Sequence, residues 1–361
     1  MSQEYSQPEG NAPDFLAPDF LENAVLVYGP RKSGTTLLQS LLDGGAQMLM
    51  LPGESKIKFL FEPRIGAPYL LRYALQENGD DWTFARATIG AGALERIPGG
   101  VHLPGLSLEE TARVFDLEKY RDKLKELHAA QPDHTYEKLA RGDTAPHREY
   151  SRMQNDVRAE VAAFAACVHG REYSHSETAP RFKCWAIKEV GGHPQKIIER
   201  WRALVPNLKI IFLVRDPRFV VRSIILDRRR KGIRLGFFKI WKECEAAQDI
   251  VGAAFSQKLD CDVIVSYEQL TRDTPTEMQR IAKVIGIEWT HRLSAPTMLG
   301  QSAVVRTSSQ KTDRVFQSEK SWDDDLFPYQ KRAIRWFYCL APIFYKWRGR
   351  AFVRYHERQN Q

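Results

Sequence analysis

The sequence is poor in cysteine, and its five cysteines (167, 184, 244, 261 and 339) form no CxxC pair and no metal-ligand spacing. That excludes a disulfide framework or a zinc ribbon, and the odd count points to a reducing compartment. Cys184 and Cys261 lie beside apolar runs, where a small buried thiol is the default. Long apolar runs are also missing: no window reaches the ~18 uninterrupted residues that a membrane span needs. The first 23 residues are polar and acidic with three prolines, unlike the basic start and apolar stretch of a signal peptide. A soluble, cytoplasmic protein is expected.

What is present fits a folded, globular chain. The chain has 361 residues, 43% of them hydrophobic, enough for a substantial core. Its net charge of +8 favours anionic ligands without choosing among them. The basic residues are scattered except at Arg228-Arg229-Arg230-Lys231, which reads as a solvated helix end.

Residues 24–44 organise the rest. Ala24 to Tyr28 is a short apolar run, the pattern of a buried parallel strand. Gly29-Pro30-Arg31-Lys32-Ser33-Gly34-Thr35-Thr36 follows, and then a helix from Thr36 to Leu42, stopped by Asp43-Gly44-Gly45. Strand, glycine loop and helix N-terminus together make a phosphate site, because backbone N–H groups converge there and the helix dipole adds positive charge. A nucleoside-triphosphate P-loop needs Lys directly after the second glycine. Thr35 stands there instead and the cation is Lys32, so this is a modified P-loop.

Residues 1–20 read as a disordered leader, and 21–361 as a single domain with an insertion at about 62–180 over the site. In that insertion Glu118 to Ala130 is the clearest helix. Regular alternation resumes with a strand at 184–187 ending at Lys188, a helix at 194–204, a central strand at 208–214, a strand at 262–267 and a helix at 276–285. The chain is helical and aromatic from Pro328. This is an α/β fold of P-loop type, three layers around a central parallel sheet.

The second landmark is Arg215-Asp216-Pro217-Arg218, with Ser223 eight residues after Arg215. Arg215 ends a central strand, where ligands sit in open α/β sheets, and Ser223 falls about two turns into the next helix. Together they can grip one phosphate, by a charge-assisted fork and a hydroxyl.

With both landmarks in view, the chain resembles the sulfotransferases that use 3′-phosphoadenosine-5′-phosphosulfate (PAPS). Lys32-Ser33-Gly34-Thr35-Thr36 is similar to their 5′-phosphosulfate loop, and Arg215, Pro217 and Ser223 to their 3′-phosphate motif. Pro206-Asn207, Tyr267-Glu268-Gln269-Leu270 and Ile285-Gly286 also look like the family. The likeness covers roughly 24–60 and 182–290. Pro52-Gly53-Glu54-Ser55 is closest to the tyrosylprotein and carbohydrate-type enzymes, which implies Glu54 as catalytic base; Lys188 matches a lysine that helps hold the phosphosulfate. Arg31 in place of a proline, and Glu189-Val190 after Lys188, depart from the pattern. So does the lack of the membrane anchor and disulfides typical of the tyrosylprotein enzymes. Arg314 and Ser318 match a late basic loop that closes over the nucleotide.

The resemblance implies in-line sulfuryl transfer from PAPS to a hydroxyl or amine acceptor, releasing PAP. Arg31, Lys32, Ser33, Gly34, Thr35, Thr36, Arg215, Ser223, Arg314 and Ser318 would bind the nucleotide. Lys32 and Lys188 would stabilise charge on the leaving oxygen, and Glu54 would act as base. His193 and His102 are rival bases. No metal is required and no nucleic acid is expected. A P-loop kinase or NTPase is opposed by Thr35; a non-catalytic anion or nucleic-acid binder would have no need of the paired Arg215 and Ser223. The acceptor (carbohydrate, tyrosine, lipid or small-molecule hydroxyl) has no readable motif.

Overall fold

Strand β1 (Asn23–Gly29) is buried on both faces and forms the middle of the sheet. With β2 (Met48–Met50), β3 (Cys184–Val190), β4 (Asn207–Val214) and β5 (Val263–Ser266) it makes a five-stranded sheet in the order β2-β3-β1-β4-β5. Every pair is parallel. The computed structural model describes residues 19–54, 75–78, 81–84, 95–97, 100–102, 106–129, 147–168, 182–255, 259–303, 305–306, 311–312, 315 and 320–344.

Side chains alternate across the sheet, so each strand feeds two cores. Ala24, Leu26 and Tyr28 face one cluster with Trp185, Ile187, Ile210 and Phe212. Val25 and Val27 face the other with Ala186, Ile211 and Leu213. This two-sided burial is why the strands read as continuous apolar runs rather than alternating ones. Each fully buried aliphatic side chain contributes roughly 1.5–3 kcal/mol relative to exposure.

Helices cover both faces. On one lie α1 (Thr35–Leu42), whose Leu37, Leu38, Leu41 and Leu42 are buried, and the later helix at Thr274–Ile285. Between them in sequence come α2 (Leu108–Val114), α3 (Leu117–Ala129), α4 (His147–Ala165), α5 (Pro194–Leu204), α6 (Pro217–Arg230), α7 (Phe237–Ala254) and α8 (Tyr267–Arg272). Thr274–Ile285 is therefore α9, and Pro328–Phe344 is α10. The opposite face is covered by α4 through Val157, Val161 and Phe164, and by α5 through Ile197, Ile198 and Trp201. A third cluster joins α6, α7 and α10 beside the sheet.

The expected α/β architecture is thus present, with differences in detail. β3 does not end at Lys188: Tyr28 pairs with Glu189 and Gly29 with Val190, so the ladder carries the strand two residues further. Helix α4 gave no clear signal in the sequence, yet it belongs to the core of one face. Two short antiparallel pairs, Leu75–Asn78 with Asp81–Phe84 and Glu95–Ile97 with Gly100–His102, also escaped notice. Strands of three or four mostly polar residues leave no periodicity to read. Residues 1–18 of the expected leader lie outside the described residues, while Phe20 is buried against Phe182.

Candidate active site

The chain order places β1 centrally, with β2 and β3 to one side and β4 and β5 to the other. The connections therefore diverge at β1, and ligands of open α/β sheets sit at the carboxyl ends of strands beside such a reversal. Three of those ends carry the sequence landmarks: the glycine loop after β1, Arg215 after β4 and Tyr267 after β5.

The loop is held by its own backbone. Ser33 N–H donates to the Pro30 carbonyl (3.2 Å), and Leu38 N–H to that of Gly34 (3.1 Å). Lys32 and Gly34 take positive φ, +65° and +101°, which turns the chain sharply into α1. No side chain caps α1 and no acid stands in its first turn, so its N–H groups and dipole favour an anion.

Arg215 meets this loop directly. Its Nη1 donates to the Lys32 carbonyl at 3.0 Å. Its guanidinium carbon lies 4.2 Å from the centroid of the Tyr267 ring and 5.6 Å from that of Phe219. Ser223 is buried on α6. One turn beyond it, Asp227 accepts from the Lys32 ammonium at 3.2 Å. Burial pushes the Asp227 carboxyl up, but hydrogen bonds from Lys231 and Lys32 outweigh it and leave the group below its usual range. The start of α6 is fixed twice. Asp216 caps it by accepting from Arg218 N–H (2.9 Å), and Asp216 N–H donates to Glu268 (3.2 Å).

On the other side of β1, Lys188 is buried and its ammonium donates to Thr36 Oγ1 at 3.0 Å. Glu54 follows the turn that leaves β2. Gln39 of α1 holds that turn by donating to the carbonyls of Leu51 and Gly53, each at 2.8 Å. Leu51 N–H also donates to Ala186 O (2.8 Å), so Glu54, just beyond β2, and Lys188, within β3, lie toward the carboxyl ends of adjacent strands. Glu189 turns away from the site and accepts from Trp201 Nε1 (2.9 Å) in the core. Arg31 is exposed, its stem near Gly191.

The model of the sulfotransferase family matches residues 24–291.

The chain belongs to the sulfotransferase family.

It is an enzyme, a PAPS-dependent sulfotransferase, as its motifs implied. No curated protein matches the sequence. Among solved structures it is similar to the sulfotransferase domain of the Synechococcus PCC 7002 olefin synthase, at 17% identity, over 90% of this chain and 97% of that one, with a TM-score of 0.45. A Mycobacterium avium sulfotransferase is 15% identical over 76% of this chain and 66% of its own, with a TM-score of 0.38. A mouse sulfotransferase complexed with PAP is 12% identical over 93% and 89%, again with a TM-score of 0.38. The family match, not these distant likenesses, carries the assignment.

The sulfotransferase brings the loop, Lys188, Arg215 and Ser223 to one edge of its sheet. Arg314 and Ser318 lie outside the described residues, as does the side chain of His102. His193 precedes α5, is exposed and makes no side-chain cap. Sequence reasoning missed Asp227, Gln39 and the packing role of Tyr267. Asp227 had a signal: it stands four residues after Ser223, on the same face of a helix. Gln39 had none, because its partners are carbonyls.

Proposed function

We propose that the modified P-loop and Arg215 bind the two phosphate ends of one PAPS molecule. The observation that carries this reading is the 3.0 Å hydrogen bond from Arg215 to the Lys32 carbonyl, which ties two anion-binding elements of different strands together. The donor set fits the nucleotide: ammonium, guanidinium, hydroxyls and helix N–H groups, with no carboxylate in the loop itself. Ser33 Oγ and Arg215 Nε are buried without a hydrogen-bond partner among the described residues, and phosphate oxygens are the acceptors such donors need.

When bound, PAPS supplies the sulfuryl group that is transferred. Ser33, Gly34, Thr35 and Thr36 hold its 5′ end through the loop amides and hydroxyls, with Arg31 at the rim. Arg215 and Ser223 hold the 3′-phosphate, and Arg314 and Ser318 contribute to binding the nucleotide. Lys32 and Lys188 stabilise negative charge on the leaving oxygen as it grows. Glu54 takes the acceptor proton; Gln39 fixes its turn from α1.

The acceptor is a hydroxyl or amine, chosen by the insertion at about 62–180, within a single domain spanning 21–361. No helix among the described residues is long and apolar enough to cross a membrane. A cytoplasmic setting is supported by the free state of Cys167, Cys184, Cys244, Cys261 and Cys339.

Titration with PAP and ADP, in parallel on Arg215→Ala, tests the reading. PAP should bind more tightly than ADP, and Arg215→Ala should erase the preference by removing a charge-assisted phosphate contact of about 1.5–3 kcal/mol. Equal affinity for the two ligands in the wild type would sink it.

A further inference from the structure

The basic helix end singled out in the sequence lies beside an exposed apolar face that sulfuryl transfer does not use. Helix α6 is closed by backbone bonds from Gly232 and Ile233 N–H to the carbonyls of Arg229 and Arg228, both at 2.9 Å. The following turn is therefore built rather than loose, and Tyr329 on α10 donates to its Leu235 carbonyl (3.1 Å). From this turn, from α7 and from α10 emerge Ile233, Phe238 and Trp336, respectively 44%, 83% and 53% exposed. Phe237 links the two aromatic side chains, its ring centroid 6.0 Å from that of Phe238 and 5.9 Å from that of Trp336.

Exposed cations accompany these three side chains: Arg230, Lys231, Arg234, Lys239, Lys242 and Arg332. Asp227 is engaged by Arg230, Lys231 and Lys32, and the two acids of α7 nearest the face, Glu243 and Glu245, are only half-exposed. A second copy docking through the same face would bring like charge against like charge. So would the chain's own residues 345–361, which carry five Lys or Arg against one Glu. Charge complementarity thus selects an anionic partner.

We propose that this face docks on an anionic lipid surface. The ring of Phe238 and the side chains of Ile233 and Trp336 enter the boundary between headgroups and acyl chains, while the lysines and arginines lie among the phosphates. A bilayer accepts a protruding ring that a folded acidic protein would need a pocket to cover. Each cation near such a surface adds attraction that salt screens. The inference is independent of the nucleotide reading.

Co-sedimentation of the full chain with phosphatidylcholine vesicles, with and without phosphatidylserine, is the test. Binding should require phosphatidylserine and weaken with added salt. Phe238→Asp and the pair Arg234→Glu/Lys239→Glu should each lower vesicle affinity roughly tenfold or more. PAP affinity, unchanged in these variants, verifies their fold. Equal binding to both vesicle types, or none to either, overturns the proposal. So does full retention of binding by Phe238→Asp, which would reduce the face to a polybasic contact. Displacement from vesicles by polyglutamate, equally well for wild type and Phe238→Asp, would assign the face to acidic polypeptides instead.

Discussion

The ring of Tyr267 occupies the space that a side chain at Gly34 would need: a Cβ there would lie 2.3 Å from Tyr267 Cδ2 and 2.5 Å from Cε2. The same ring lies under the Arg215 guanidinium. One aromatic side chain after β5 thus sets both the closeness of the loop to its neighbour and the place of the arginine. Gly34 also holds φ +101°, a region L side chains rarely adopt.

Gly34→Ala should therefore cost about 1–3 kcal/mol of stability and weaken PAP binding more than tenfold. Adding Tyr267→Ala removes the clash but not the backbone strain, so stability should recover only in part. Urea denaturation and PAP titration of the three variants would check this. Full recovery would mean the backbone conformation carries no cost.

Gln39→Ala should separate positioning from binding. It leaves the Leu51 and Gly53 carbonyls without their donor, at a cost of roughly 1–3 kcal/mol. The turn bearing Glu54 loosens while the loop and Arg215 stay in place. Turnover should fall with little change in PAP affinity; an equal loss in both would place Gln39 in nucleotide binding.

Glu54→Gln keeps the shape of the side chain and removes its basicity. The expected result is a fall in kcat of about 10²–10⁴-fold with PAP affinity unchanged. Retained turnover would transfer the role to another group, with His193 the first to replace.

Asp227 gives a pH signature. Its folded pKa lies below its ordinary value, so the stability it contributes is present above the unfolded pKa of about 3.9. That stability is lost as pH falls through the folded pKa. Because the ion pairs of Asp227 are partly solvated, Asp227→Asn should cost at most about 1 kcal/mol at pH 7. Its stability should also decline less than that of the wild type below about pH 4. Parallel curves for the two proteins would show that Lys32 and Lys231 give the carboxylate no net stabilisation.

Much of this was legible in the chain. The runs at 24–28 and 208–214 could only be central strands, because a strand buried on both faces has no polar side to show. Gly29, Lys32 and Gly34 read as a phosphate loop through their spacing, and Arg215 with Ser223 as its partner through helical rise. The extent of β3 was misjudged because its last residues, Glu189 and Val190, are kept in register by β1 rather than by their own pattern. Helix α4 mixes charge and alanine, and its buried Val157, Val161 and Phe164 stand out only once a sheet face lies beneath them.

The sequence by itself determined the sheet, the loop and the family, because those rest on local spacing: apolar runs, glycines at fixed intervals, an arginine at a strand end. Only the tertiary structure decided that Arg215 touches the Lys32 carbonyl, that Asp227 takes the Lys32 ammonium, and that Gln39 holds the turn before Glu54. These contacts join residues from separate elements through four polar contacts, three of them hydrogen bonds to backbone carbonyls. A carbonyl is the same in every residue, so the chain carries no mark of where such a bond will form until packing brings the strands together.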